Sequence, residues 1–126
     1  MVFVYIENKK FLSKIITYLE KSQILFTTDF NVDYDTVLVA EINKRTLKLV
    51  ENSYLLKKKI VFLSHLEEDK ILYNYNLNNK QSIEYRSRLY NFLNMCDLII
   101  VSLPYFKKIL NKKIKRNIIV IEREVG

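Results

Sequence analysis

The chain has 126 residues, 49% of them hydrophobic, with 21 Lys and Arg against 14 Asp and Glu, a formal net charge of +7. That length suits one domain with one core, and the composition excludes a disordered chain. The lone cysteine, Cys96, excludes an internal disulfide and lacks companions for a metal site, and the only glycine, Gly126, excludes both a P-loop and a G-x-G-x-x-G dinucleotide turn.

In chain order, the first apolar run is Val2–Ile6. Glu7, Lys9 and Lys10 follow at once, so the segment lacks the long apolar stretch of an export signal, and a cytoplasmic location is expected. Phe11, Leu12, Ile15, Ile16 and Leu19 recur at helical steps, and Gln23–Thr27 and Thr36–Glu41 read as strands. Between the last two only Thr28–Asp35 is available, short for a helical crossover. Extended, eight residues still reach roughly 26 Å, enough to return along a short strand without a helix.

Asn43 is placed to cap a helix carrying Leu47, Val50 and Tyr54. Ile60–Ser64 is a uniformly apolar strand, and His65, the only histidine, stands at its carboxyl end, followed by Glu67, Glu68 and Asp69. Asn74–Gln81 (NYNLNNKQ) reads as a polar loop, and Ser82 as the cap of a helix built on Tyr85, Leu89, Phe92, Leu93 and Cys96. Leu98–Ser102 is the fifth strand, Pro104 opens a basic helix with Phe106, Ile109 and Leu110 on one side, and Asn117–Glu122 is the sixth strand.

Strands this uniformly apolar are buried on both faces, so the alternating order predicts an α/β, Rossmann-like three-layer domain with a mostly parallel sheet of about six strands. Ligands of such sheets lie beyond the carboxyl ends of the strands, which singles out Glu7–Lys10, His65–Lys70 and Leu103–Tyr105.

The ordered set from Lys59 onward, KIVFLS then His65, Glu68, Asp69, Tyr73 and Tyr75, then CDLIIV at Cys96–Val101, Ser102, a basic helix and a closing strand, resembles the N-terminal acceptor domain of GT-B glycosyltransferases of glycosyltransferase family 4, especially the diacylglycerol glucosyltransferase branch. Ile121–Gly126 (IEREVG) stands, altered, where that family turns into its nucleotide-sugar domain, and glycines usual after its first strand are replaced by Ile6-Glu7-Asn8-Lys9-Lys10. The resemblance implies that residues 1–126 form the N-terminal half of a two-domain retaining enzyme moving a sugar from a nucleotide donor to a lipid or glycan hydroxyl. It implies His65 and Asp69 as catalytic residues, with Glu68, Tyr73 and Ser102 contacting substrate. No cofactor is expected in this chain; the nucleotide-sugar donor belongs to a second domain or partner chain, and the isolated chain is not expected to turn over.

The bland readings stand beside these. A strand-end histidine is often structural, the acids suit a solvated loop or a helix start, and Ser102 suits a turn or cap. Lys107, Lys108, Lys112 and Lys113 suit either a solvated surface or contact with an anionic membrane at the inner face. Tyr73, Tyr75, Tyr85 and Tyr90 with Arg86 and Arg88 combine rings and cations, yet no nucleic-acid-binding motif is present, which makes nucleic acid an unfavoured partner. The competing reading of the whole is a non-catalytic α/β interaction module or the partner subunit of a two-chain transferase.

Overall fold

A computed structural model describes residues 1–122. The elements run β1 (Val2–Tyr5), α1 (Lys9–Lys21), β2 (Phe26–Thr27), β3 (Thr36–Val39), α2 (Lys44–Leu55), β4 (Lys59–Leu63), α3 (Glu68–Asn74), α4 (Lys80–Asn94), β5 (Leu98–Val101), α5 (Pro104–Asn111) and β6 (Asn117–Val120). All six strands are parallel, in the order β2-β1-β3-β4-β5-β6. The expected α/β, Rossmann-like architecture is therefore what this sequence forms, and the segment from Arg123 to Gly126 lies outside the described residues.

Crossover handedness distributes the helices. From β3 to β6 each connection steps the same way along the sheet, so right-handed crossovers put α2, α3, α4 and α5 on one face. Residues at alternate strand positions, Val37, Val39, Ile60, Phe62, Ile99, Val101 and Ile118, meet them there in the main core. Phe62 and Phe92 lie edge to face at its centre, 5.3 Å apart, and both are fully buried. The step from β1 to β2 goes the other way and carries α1 to the opposite face, where Leu19 joins Val4, Ile6, Ala40 and Leu63. Among the described residues α1 is the only helix on that face, and Ile119, in register with Ile100, remains 40% exposed.

The short Thr28–Asp35 connection succeeds because aromatic rings replace a helix. Phe30 and Tyr34 lie over Phe3 of β1, with ring centroids 5.8 and 5.0 Å away, and Lys58 donates to the Tyr34 carbonyl at 3.0 Å while its ammonium sits 3.7 Å from the Tyr34 ring centroid. An eight-residue loop thereby covers the strand that a crossover helix would otherwise cover.

Two sequence readings are corrected. Of Gln23–Thr27 only Phe26–Thr27 is strand, because Gln23 ends α1 in a left-handed turn at φ 56°, with Gln23 N–H donating to Glu20 O and Ile24 N–H to Leu19 O. The cap of α4 is Asn79, which accepts from Ser82 N–H at 2.9 Å; Ser82 sits one turn inside and donates to Asn74 Oδ1 at 2.7 Å. The Asn43 cap holds, strengthened by a reciprocal bond from Asn43 N–H to Thr46 Oγ1, and Pro104 does begin α5.

Helix α2 ends as α1 does, with Lys57 at φ 57° and Lys58 N–H bonded to Ser53 O. A side chain there costs roughly 1 kcal/mol relative to glycine. Lys57→Gly is therefore expected to stabilise the fold by about 1 kcal/mol, read as a higher urea midpoint at unchanged slope; an unchanged or lower midpoint would show that the turn is not strained.

Candidate functional site

The carboxyl edge of the sheet gathers four loops, those after β1, β3, β4 and β5. Strand order reverses between β1 and β3, which makes their carboxyl ends the topological switch point where doubly wound sheets bind ligands. Here the crevice is filled by the chain itself. Glu41, just past β3, accepts from the backbone N–H of Glu7 at 2.7 Å and of Asn8 at 2.9 Å. Asn8 is the cap of α1, so an internal carboxylate occupies the helix N-terminus that would otherwise attract phosphate. Glu7 in turn accepts from Asn43 Nδ2 at 2.6 Å and pairs with Arg45 Nε at 3.0 Å.

The loop after β4 continues the pattern. Glu67 is buried and accepts from Ile42 N–H at 3.0 Å, tying this loop to the one after β3. Glu68 is 2% exposed and reaches the other way. It accepts from Ser64 Oγ at 2.8 Å, from Ser102 N–H at 2.8 Å, and from the Ser102 hydroxyl. Burial alone would raise the Glu68 pKa, but the three donors from Ser102 and Ser64, with His65 nearby, outweigh it and hold the carboxyl below the ordinary glutamate value. Three glutamates therefore brace four loops into one rim, each by accepting backbone N–H groups.

His65 is half-buried at the end of β4, its ring 5.9 Å from that of Phe11 on α1. The bracing brings His65, Glu68 and Ser102, three of the residues expected from sequence, into one neighbourhood. Asp69 and Tyr73 are not buried with them: both are exposed on α3, Tyr73 by 73%. Of the two bland readings of the acids, loop or helix start, the structure shows the helix start: α3 begins at Glu68, with Ile71 its one buried apolar residue and Glu68 its other inward group. Tyr85 packs at the main core with its hydroxyl facing Glu67; burial first, and then the carboxylate, raise its pKa.

The basic residues divide as well. Lys107 and Lys108 are exposed on α5, whereas Lys112 and Lys113 line a groove with Tyr75, Arg86 and Tyr90. Cys96 lies two residues beyond α4 and is fully buried, and burial, reinforced by Asp97, pushes its thiol up to about 12, which leaves it unreactive at neutral pH. Among the described residues no group of three or more His, Cys, Asp or Glu side chains can hold a metal, and no helix is long and apolar enough to cross a membrane.

No protein-family model, curated protein or solved structure matches the chain. Sequence reasoning singled out the Glu7–Lys10 segment without giving Glu7 a role, placed Glu41 at the end of a strand, and missed Ser64; an acid at or just past the end of each of two buried strands was the available signal.

Proposed function

We propose that this chain is the acceptor-binding domain of a retaining GT-B glycosyltransferase, acting on a lipid or glycan hydroxyl with a nucleotide-sugar donor held by a second domain or partner chain. The observation that supports it is the Glu68 brace. One buried carboxylate ties the loop carrying His65 to the loop carrying Ser102, which fixes the resembling residues at the carboxyl edge, where α/β domains take ligands.

In this reading Glu68 positions and does not touch the acceptor. His65, backed by the Phe11 ring, hydrogen-bonds a sugar or acceptor hydroxyl, and Asp69, exposed in the first turn of α3, takes the proton as the acceptor oxygen bonds the anomeric carbon and the nucleotide leaves. Tyr73 offers an exposed ring to the acceptor from the same helix, and Lys107 and Lys108 suit an anionic membrane surface beside a lipid acceptor.

A second reading, a non-catalytic α/β interaction module, is favoured by one observation. Glu7, Glu41, Glu67 and Glu68 all spend their carboxylates on the fold, and the switch-point crevice is filled. Titrating the labelled chain with diacylglycerol in phosphatidylglycerol bicelles and following amide shifts separates the two. The glycosyltransferase reading expects saturable shifts at His65, Leu66, Asp69 and Leu103, weakened about ten-fold by His65→Ala in a variant that keeps its urea midpoint, a loss typical of one misplaced orienting group. Shifts absent from those amides with both this lipid and a glycan acceptor would sink it and leave the interaction module.

A further inference from the structure

The groove on α4 and α5 shares no lining residue with the rim, and it takes in Lys112 and Lys113, two of the four lysines that the sequence offers to an anionic surface. It is lined by the α3–α4 connection, by α4 and by the end of α5, and is an open depression of about 650 Å³. Arg86 from the middle of α4 and Lys112 and Lys113 from the end of α5 converge on it, 26 residues or more apart in sequence, and no carboxylate lines it. Among the described residues none of these three cations forms an ion pair. Unneutralised positive charge in a concave, partly apolar site attracts an anion more strongly than the same charges on an open surface.

Two of the cations, Arg86 and Lys112, are also held in place. Arg86 Nη1 donates to the carbonyls of Asn74 and Leu77, which shapes the α3–α4 connection around the guanidinium and leaves further N–H groups on the fork. Lys112 Nζ donates to the Tyr75 hydroxyl at 3.2 Å and lies 5.9 Å from the centroid of that ring. Tyr75 and Tyr90 are half-buried, so each presents part of a ring to the groove, and burial raises the Tyr90 pKa and keeps its hydroxyl protonated as a donor. Asn78 and Ser87 add neutral hydrogen-bonding groups.

We infer that this groove binds one phosphorylated polyol. The phosphate sits among Arg86, Lys112 and Lys113, the hydroxyls meet Asn78 and Ser87, and the C–H face of the polyol lies on the tyrosine rings. Three clustered cations suit one phosphate, and the neutral and aromatic groups beside them suit a polyol, whereas a nucleic-acid strand needs a continuous basic track. The same chemistry is carried by a free sugar phosphate and by a phospholipid headgroup.

Amide-shift titration of the whole chain distinguishes them, with glucose 6-phosphate and glycerol 1-phosphate as free probes, glucose and inorganic phosphate as controls, and phosphatidylglycerol against phosphatidylcholine vesicles. Saturable shifts at Tyr75–Asn78 and at Lys112 and Lys113 are expected with a phosphorylated polyol, about ten-fold tighter than with either control. Response to the free probes assigns a soluble ligand; response to phosphatidylglycerol vesicles alone assigns a headgroup. Silence in both arms overturns the inference. Lys112→Ala with Lys113→Ala should weaken binding about ten-fold, and Lys48→Ala with Lys57→Ala should not, because only the first pair lines the groove. Equal weakening by both pairs would reduce the effect to net charge and overturn it, as would tighter binding of a single-stranded oligonucleotide at the same amides.

Discussion

Glu68→Ala should destabilise this domain by about 3 kcal/mol or more, the largest single-residue effect expected outside the apolar core. The substitution removes the acceptor of three hydrogen bonds and leaves Ser102 N–H, Ser102 Oγ and Ser64 Oγ buried. It also unties the loop after β4 from the loop after β5, so loss of stability and loss of the His65 arrangement come together. Glu68→Gln keeps the shape and, with its NH2 toward the Ser102 hydroxyl, which can rotate to accept, leaves one oxygen for Ser64 Oγ and Ser102 N–H, so it should recover part of the loss without the charge. Urea unfolding at neutral pH checks this: a Glu68→Ala midpoint within 1 kcal/mol of the parent would mean that the brace is not a stabilising element.

The same carboxylate gives stability a pH dependence of known sign. Its pKa in the folded chain lies below the ordinary value of 4.5, so the unfolded chain takes up the proton first as pH falls. The contribution is fully present above pH 4.5 and is lost as pH drops from there through the lower folded value. Acid unfolding of the parent should therefore be steeper below pH 4.5 than that of Glu68→Gln, and identical acid slopes would contradict the charged, hydrogen-bonded state.

Glu41→Ala is the second large effect, about 2 kcal/mol, because two charge-assisted bonds to the backbone of Glu7 and Asn8 disappear at the start of α1. Its signature is anion dependence. With the carboxylate gone, the α1 N-terminus regains its affinity for anions, and the neighbouring charge of Glu7 is already balanced by Arg45. Sulfate at tens of millimolar should restore part of the lost stability in Glu41→Ala and do nothing comparable in the parent. Equal sulfate responses in the two proteins would show that Glu41 does not stand in for a bound anion.

The two glutamates explain how a nearly glycine-free chain can keep a Rossmann-like sheet. Glycine after the first strand serves to bring backbone close to a phosphate; here Ile6-Glu7-Asn8 has side chains in that turn, and the helix end is closed from across the crevice by Glu41. Left-handed positions are filled by Gln23 and Lys57, at a cost that the packed helices outweigh. The switch-point crevice is thereby closed, and the proposed sites lie instead at the β4 and β5 loops and in the groove on α4 and α5.

The six strands and the helices of the apolar stripes were legible because burial imposes a period that any such segment must show: Val37 and Val39 face one way, Leu38 and Ala40 the other, and α4 repeats Leu89, Phe92 and Leu93. Helix α3 was legible only as one of two readings of its acids, since polar contacts of Glu68 hold it as much as its one buried apolar residue. Local chemistry alone also marked His65 at a strand end, Asn43 as a cap and Pro104 as a helix start. Only tertiary structure decided which of three consecutive acids turns inward: Glu67 reaches Ile42, Glu68 reaches Ser102 34 residues away, and Asp69 stays in solvent. It likewise joined Tyr75, Arg86 and Tyr90 to Lys112 and Lys113. Periodicity along a chain reports which face is buried; which polar groups meet is set by strand order and crossover handedness, and these bring together residues that no local pattern connects.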